Sequence, residues 1–226
     1  CQPSRSKTRS AKPGHTESRS SQAQKNQAKS TQAKKSRPQS TQPEKAKPGL
    51  HPRNPHRQGY DFAQLLTCVP ELEACISLNP RGQQTIDFAD AEAVKLLNKA
   101  LLIQEYGMQF WDIPPGALCP PVPGRADYIH HLADLLAESH NGEVPRGNRV
   151  KGLDIGTGTN FIYPIIGTGA YGWSFVGTDI DALAVKSAAL LISSNKLLKK
   201  AKCRQQPSST QFFKEIIGPD ERFDFT

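Results

Sequence analysis

Leu-Asp-Ile-Gly-Thr-Gly-Thr-Asn, at residues 153–160, is the stretch that decides the fold of this chain. Its apolar start extends a short strand predicted from Val150. Its glycines let the backbone turn sharply at the carboxyl end of a parallel sheet and leave room for a ligand. The next predicted strand, residues 173–177, leads into Asp179, which lies 21 residues after Gly158. A carboxylate there can accept hydrogen bonds from both hydroxyls of an adenosine ribose.

The same alternation of strand and helix continues towards the end of the chain. Asp181 is predicted to cap a helix that ends near Asn195, a third strand is predicted at residues 202–206, and a fourth begins at Phe223. Strands and helices that alternate with short connections form a parallel sheet covered by helices. The sequence therefore predicts an α/β fold, with the first half of the sheet in residues 126–226.

Two features of the glycine stretch favour S-adenosylmethionine over a dinucleotide. A dinucleotide site usually has a third glycine and an uncovered helix N-terminus for the pyrophosphate, but here the third place is the bulky Phe161. Asp154 also puts a carboxylate before the first glycine, where it would repel a pyrophosphate and attract the ammonium and sulfonium groups of S-adenosylmethionine. A tight βα connection that binds nothing and a nicotinamide-dependent oxidoreductase remain as alternatives.

Residues 50–125 are predicted to be a helical and loop-rich subdomain. Asp90 is predicted to cap a helix whose apolar residues recur at helical spacing. Proline-rich residues 120–124 predict an irregular loop. A second helix is predicted after it, at residues 126–138, with four apolar side chains on one face: Ile129, Leu132, Leu135 and Leu136.

Positive charge is concentrated at the start of the chain. Residues 1–50 carry twelve Lys or Arg against two Glu, whereas the rest carries seventeen basic and nineteen acidic groups, so the net charge of +8 belongs to the first part. Residues 1–49 contain no Leu, Ile, Val or aromatic side chain and are predicted to be a disordered basic tail. Such a tail either attracts RNA phosphates without reading their sequence or only aids solubility.

Cysteine spacing and hydropathy exclude several other classes of protein. The five scattered cysteines form no Cys-x-x-Cys pair and no histidine cluster has the spacing of metal ligands, so no metal site is predicted. No apolar run approaches the length of a membrane-spanning helix, and residues 1–49 lack the apolar stretch of a secretory signal. The chain begins with Cys1 and ends in the opening of a strand, so it is expected to be part of a longer protein.

Several stretches give the chain a close resemblance to a known family. They read PPVPGRADYIHH at residues 120–131, LDIGTG at 153–158 and IYP at 162–164, and they are joined by HPRN at 51–54 and WDIP at 111–114. Together they resemble the bacterial ribosomal RNA large subunit methyltransferase F family, which is named for N6 methylation of adenine-1618 in 23S rRNA. The chain is also similar to a eukaryotic relative that methylates adenines in small nuclear and messenger RNA.

The resemblance implies a class I, Rossmann-like methyltransferase fold with an incomplete sheet and S-adenosylmethionine as its cofactor. It also implies that Arg125, Gly156 and Asp179 contact this cofactor. A guanidinium is suited to the methionine carboxylate, so Arg125 would pair with that group. Combined with the residues of the glycine stretch, the predicted cofactor site consists of Arg125, Asp154, Gly156, Thr157, Gly158 and Asp179.

The resemblance further implies an RNA partner, either 23S rRNA or a precursor of the large ribosomal subunit, and a cytoplasmic location. Residues 50–125 would then be an RNA-binding subdomain. His130 and His131, on the helix that follows Arg125, are predicted to be structural. The candidates for contact with the RNA backbone are His51, Arg53, His56 and Arg57.

Members of this family carry an Asn-Pro-Pro-Phe stretch after the fourth strand, where backbone and amide oxygens accept hydrogen bonds from the target amine. In this chain the stretch is expected just after Thr226, so no catalytic residue is predicted and the chain alone is predicted to be inactive and poorly stable. The alternative is a non-catalytic RNA-binding or ribosome-assembly factor with the same fold.

Overall fold

The computed structural model describes residues 49–226. The predicted basic tail, residues 1–49, lies outside this range except for Gly49, so its disorder and its contact with RNA stay predictions. None of the helices within 49–226 combines the length and the apolar content that crossing a bilayer requires.

The first part of the described chain forms three helices and a small hairpin. Asp90 caps the second helix, because its side chain accepts hydrogen bonds from two backbone N–H groups of the first turn, as predicted. The antiparallel hairpin escapes the sequence prediction because its strands have three residues each, too few for a period-two pattern to be recognised. These elements are α1 (Phe62–Cys68), β1 (Ile76–Leu78), β2 (Gln84–Ile86), α2 (Ala91–Tyr106) and α3 (Val122–Glu138).

The second part of the described chain alternates strand and helix, which confirms the predicted α/β class. Three strands form a parallel sheet in the order β3-β4-β5. A parallel bridge between Gly152 and Phe225 lies on the other side of β3, where the fourth strand was predicted to begin. Asp181 caps α5 through the N–H of Leu183. The elements are β3 (Lys151–Ile155), α4 (Ile162–Tyr171), β4 (Ser174–Asp179), α5 (Ala182–Ser194) and β5 (Lys202–Gln205).

Helix α3 begins four residues earlier than predicted. Pro121 is its N-cap and the N–H of Arg125 donates to the Pro121 carbonyl at 3.1 Å, so part of the proline-rich stretch is helical. Proline is tolerated in a first helical turn because the N–H that it lacks has no partner there. Arg125 therefore lies on the first turn of α3, and the predicted boundary between residues 125 and 126 falls inside this helix.

The apolar face of α3 packs largely as predicted, since Ile129 is buried and Leu132 and Leu136 pack against the core. Leu135 is the exception, because it is 61% exposed, whereas Ala133 and Ala137 are buried. A continuous apolar cluster then runs from α1 to the strand residues of one sheet face, with Trp111 and Trp173 fully buried in it. On the opposite face, the buried side chains of β3 and β4 are covered by Ile216.

Candidate functional site

A cleft of about 450 Å³ opens at the carboxyl ends of β3 and β4. This is the edge at which ligands bind in open α/β sheets. The first turn of α3 and the start of α4 close its sides. Its lining includes Leu118, Arg125, Gly156, Thr157, Gly158, Thr159, Asn160, Tyr163, Asp179 and Asp181.

The glycine stretch bends over the end of β4 and is pinned there by backbone hydrogen bonds. Gly156 and Gly158 have φ angles of 76° and 66°, a left-handed conformation that other residues adopt only with strain. The N–H groups of Gly156 and Thr157 donate to the Thr178 carbonyl at 2.8 and 2.9 Å. The bend is therefore held in one conformation where it lines the cleft.

Asp179 lies at the end of β4, directly beside this bend. Its Oδ2 accepts a hydrogen bond from the Gly158 N–H at 2.9 Å, and its Oδ1 accepts one from the Asp181 N–H at 2.9 Å. A carboxylate oxygen can accept more than one hydrogen bond, so both oxygens keep capacity for a ligand. The backbone fixes the orientation of this carboxylate before any ligand binds.

Asp154 lies deeper, under the bend, and its carboxyl group is partly shielded from water. Thr157 Oγ1 donates to Asp154 Oδ2 at 2.6 Å. Burial, with a further contribution from the charge of Asp179, raises the pKa of Asp154 to about 6, although the hydrogen bond from Thr157 opposes this rise. Ionisation of Asp154 therefore costs more free energy than ionisation of an aspartate in water, and a nearby cation would lower this cost.

The first N–H group of α4 is not available to an anion. Phe161 is fully buried and takes the N-cap position in a left-handed conformation, with φ of 52°. The N–H of Ile162, the first residue of the helix, already donates to Asn160 Oδ1 at 3.1 Å. A pyrophosphate would need such N–H groups to be free, so the predicted preference against a dinucleotide has a structural basis.

Arg125 lines the same cleft as Asp179. Its Nη1 donates to the Tyr163 hydroxyl at 2.7 Å, and its guanidinium carbon lies 5.5 Å from the centre of the Tyr163 ring. The Arg125 Nε is buried and has no hydrogen-bond partner within the described residues. A buried guanidinium donor without an acceptor is unfavourable, so this atom fits a site for a ligand carboxylate.

Two of the predicted RNA contacts, His51 and Arg53, form hydrogen bonds to side chains of α3 and α4. His51 is buried and its Nε2 lies 2.7 Å from Asp134 Oδ2. Arg53 donates to Asp134 Oδ1 at 2.6 Å and to the Tyr171 hydroxyl at 3.1 Å. These bonds attach the N-terminal segment to the helices, and contact of the two residues with RNA stays a prediction.

The other two predicted RNA contacts and the two histidines of α3 also lie outside the cleft. His56 is buried with its Nε2 3.0 Å from the Tyr106 hydroxyl, and Arg57 is half-buried. His130 is buried, and this burial lowers its pKa to about 4. His131 is exposed beside Asp127. None of these side chains lines the cleft.

One group of side chains has the composition of a metal site although the sequence predicts none. Potential ligand atoms of His51, His131 and Asp134 lie within 4.8 Å of one another. However, the Arg53 N–H donates to His51 Nδ1 at 3.1 Å, which places the proton of the neutral ring on Nε2, facing Asp134. A metal on Nε2 would require the opposite tautomer, so this hydrogen bonding favours an ion-free cluster.

The structure thus brings the predicted cofactor residues together: five line one cleft and Asp154 lies beneath its bend. The sequence analysis missed Asn160, whose side chain accepts the N–H of Ile162 at the start of α4, and the contact of Gly177 with Phe161. A signal for the second was present, because a glycine inside a strand marks the close approach of another group. The Asn-Pro-Pro-Phe stretch predicted after Thr226 lies beyond this sequence and stays a prediction.

Comparison with known proteins agrees with this geometry. A family described as RNA methyltransferase matches residues 44–226. A protein of Photobacterium profundum named ribosomal RNA large subunit methyltransferase F is 55% identical over 179 residues, which are 79% of this chain and 53% of that protein. A protein of the same name from Stutzerimonas stutzeri is 56% identical over 177 residues, 78% of this chain and 54% of that protein. The chain therefore spans about half the length of these relatives.

Solved structures of the N-terminal domain of human METTL16 have the same fold. One, in complex with SAH, superposes with a TM-score of 0.66 at 31% identity and covers 76% of this chain and 65% of that one. Another, the catalytic domain of the same protein in complex with MAT2A 3′UTR hairpin 6, gives a TM-score of 0.60 at 33% identity, over 70% of this chain and 54% of that one. The α/β sheet with its glycine bend is therefore the class I methyltransferase fold, present here with an incomplete sheet.

Proposed function

Because the chain belongs to this RNA methyltransferase family, we propose that its protein transfers the methyl group of S-adenosylmethionine to the N6 amine of an adenine in ribosomal RNA. In this proposal the described residues form the donor side of the site. The target is adenine-1618 of 23S rRNA, in the free RNA or in a precursor of the large subunit, and the location is cytoplasmic. The names of the bacterial relatives support the choice of ribosomal RNA.

The observation that carries the proposal is the placement of Arg125 and Asp179 in the lining of one cleft. A methyl donor of this kind has a carboxylate on its methionine part and a ribose with two hydroxyls between the sulfonium and the adenine. The buried Nε of Arg125 lacks an acceptor among the described residues, and the Asp179 oxygens keep capacity for hydroxyl donors. The cleft lining therefore offers one partner for the carboxylate and one for the ribose of this molecule.

The charge of the cleft supports the same donor. Asp154 lies under the bend, bonded to Thr157, with a pKa raised to about 6 by burial. A ligand that carries ammonium and sulfonium groups would stabilise the ionised form of this carboxyl group. A human neighbour that was crystallised with SAH, S-adenosylhomocysteine, supports this assignment further.

The role of this chain in the reaction is to bind and orient. When bound, the donor supplies an electrophilic methyl group on a sulfonium, which is already a good leaving group. Arg125 would hold the carboxylate of the donor and Asp179 its ribose, and the bend at Gly156 and Gly158, held by hydrogen bonds to Thr178 and Asp179, would form part of the cleft lining. The rate enhancement would then come mainly from positioning and from electrostatics. A base that enters such a site must be unstacked or single-stranded.

The proposal is tested with the full-length protein in two steps. Calorimetric titration is expected to detect binding of S-adenosylmethionine and of SAH, but not of NAD. Incubation with donor and unmodified 23S rRNA is then expected to yield N6-methyladenine at position 1618, detected by mass spectrometry of nuclease fragments, and no product on RNA that carries guanine there. Binding of NAD without the donor would instead indicate an oxidoreductase. Binding of donor and RNA without methylation would indicate a non-catalytic factor.

A further inference from the structure

We infer that Tyr163 is a positioning residue, whose hydroxyl holds the Arg125 guanidinium in the orientation that receives the donor carboxylate. This inference rests on the proposed function. It begins with the 2.7 Å hydrogen bond from Arg125 Nη1 to the Tyr163 hydroxyl and with the guanidinium carbon 5.5 Å from the ring centre. Both residues line the cleft.

The hydrogen bond fixes Arg125 without neutralising it. Among residues 49–226, no carboxylate lies within ion-pair distance of Arg125. An aspartate in the place of Tyr163 would hold the guanidinium more tightly, but it would compete with the carboxylate of the donor. A neutral phenol oxygen accepts one N–H and leaves the full positive charge of Arg125 for the ligand.

Two donors of this pair have no acceptor among the described residues. Arg125 Nε is buried and unpaired. The Tyr163 hydroxyl accepts the bond from Arg125 and so keeps its own proton to donate. Holding an arginine side chain in one conformation before binding removes part of its conformational entropy cost from the binding step. The pair is therefore preorganised for an anion.

Tyr128 provides a matched control on the same surface. Its ring lies 5.1 Å from that of Tyr163, one helical turn after Arg125, but Tyr128 is 51% exposed. Its hydroxyl makes no hydrogen bond to any described residue. Removing the Tyr128 hydroxyl therefore changes the same kind of atom nearby without touching the bond to Arg125.

The test compares two ligands, SAH and decarboxylated SAH, which lacks only the carboxylate. In the full-length protein, Tyr163→Phe is expected to weaken SAH binding by about tenfold, the value of one hydrogen bond to a charged group. Binding of decarboxylated SAH should change by less than about twofold. Tyr128→Phe should leave both affinities as they are. In an Arg125→Ala background, Tyr163→Phe should have no further effect on SAH.

Two outcomes would overturn the inference. Equal weakening of both ligands by Tyr163→Phe would mean that Tyr163 shapes the cleft and does not act on the carboxylate end. The same loss of SAH affinity with and without Arg125 would mean that the two side chains act independently. These outcomes differ from failure of the proposed function, in which the unmodified protein binds neither ligand, and thermal melting of each variant establishes that it is folded.

Discussion

The ring of Phe161 lies directly against Gly177, the residue of β4 that faces the glycine bend. A β-carbon at position 177 would overlap Cε2 of this ring and would come within 3.0 Å of Thr157 Oγ1. Dinucleotide-binding folds have a third glycine at the helix start for close packing of helix and strand. Here the glycine is in the strand and the bulky side chain is at the helix start, so helix and strand pack closely because the Phe161 ring fits against Gly177.

Gly177→Ala is accordingly expected to lower the free energy of unfolding by about 1–3 kcal/mol, because the fully buried Phe161 ring cannot move aside without displacing the bend. Urea unfolding of the two proteins measures the difference. The control is Gly124→Ala in α3, where a β-carbon would meet no atom within 4 Å. This change should be neutral or stabilising by up to about 1 kcal/mol. A Gly177→Ala protein as stable as the original would contradict the packing argument.

Much of the sheet and of the cleft could be predicted because local patterns determine them. The glycine bend, the carboxylate of Asp179 and the cap of Asp181 each follow from the residues at that position and their immediate neighbours. Parallel strands place their carboxyl ends at one edge, so these features had to meet there. The side of the cleft formed by Arg125 was predicted by the resemblance, not by periodicity.

The features that escaped prediction depend on contacts distant in sequence. The HPRN segment consists of polar residues, which suggests exposure, yet Asn54 is 3% exposed and bonds to residues about seventy positions away. Leu135 was grouped with the apolar face of α3, but it is 61% exposed, whereas Ala133 and Ala137 are buried. In both cases tertiary packing determines whether the side chain is buried, and the local composition does not reveal this packing.

Asn54→Ala is expected to destabilise the protein by about 2–3 kcal/mol. Asn54 Nδ2 donates to the Pro123 carbonyl at 2.9 Å and to Asp127 Oδ1 at 3.1 Å, and its Oδ1 accepts from the His56 N–H at 3.0 Å. Truncation would remove these three hydrogen bonds from a buried side chain. Thermal and urea unfolding give the change. The exposed Gln58, replaced by Ala, is the control and should alter stability by less than about 0.5 kcal/mol.

Asp179→Asn is expected to weaken SAH binding by about tenfold or more, since an amide offers one acceptor oxygen where a carboxylate offers two. The two carboxylate oxygens accept from the Gly158 and Asp181 N–H groups at 2.9 Å, so an amide NH₂ in the place of either oxygen would face an N–H group and could not accept from a ribose hydroxyl. Calorimetry measures the affinity. Asp220→Asn removes the same charge from an exposed residue outside the cleft and should leave affinity unchanged. Equal weakening of SAH binding by both substitutions would mean that Asp179 acts only through the net charge of the protein and not through hydrogen bonds to the ligand.

Asp154 should make both stability and donor binding depend on pH near 6. Its pKa is about 6 in the folded protein against an ordinary 3.8. The folded state therefore holds this proton more tightly than the unfolded chain does, so the contribution of Asp154 to stability falls as pH rises from about 4 to 6 and is constant above that range. Because the lowered pKa of His130 makes stability rise over the same range, the Asp154 contribution is measured as the difference between the original protein and Asp154→Asn. Asp154→Asn removes this dependence and is expected to raise stability at pH 8 by about 3 kcal/mol.

The same substitution should weaken donor binding while it stabilises the protein. The affinity for S-adenosylmethionine is expected to rise as pH increases through 6, because only the ionised Asp154 attracts its cationic groups. In Asp154→Asn the affinity should be lower at pH 8 and nearly independent of pH. SAH has no sulfonium charge, so its pH dependence in the unmodified protein should be weaker than that of S-adenosylmethionine. A variant that binds S-adenosylmethionine equally well at pH 8 would show that Asp154 acts only on the bend, through its hydrogen bond from Thr157.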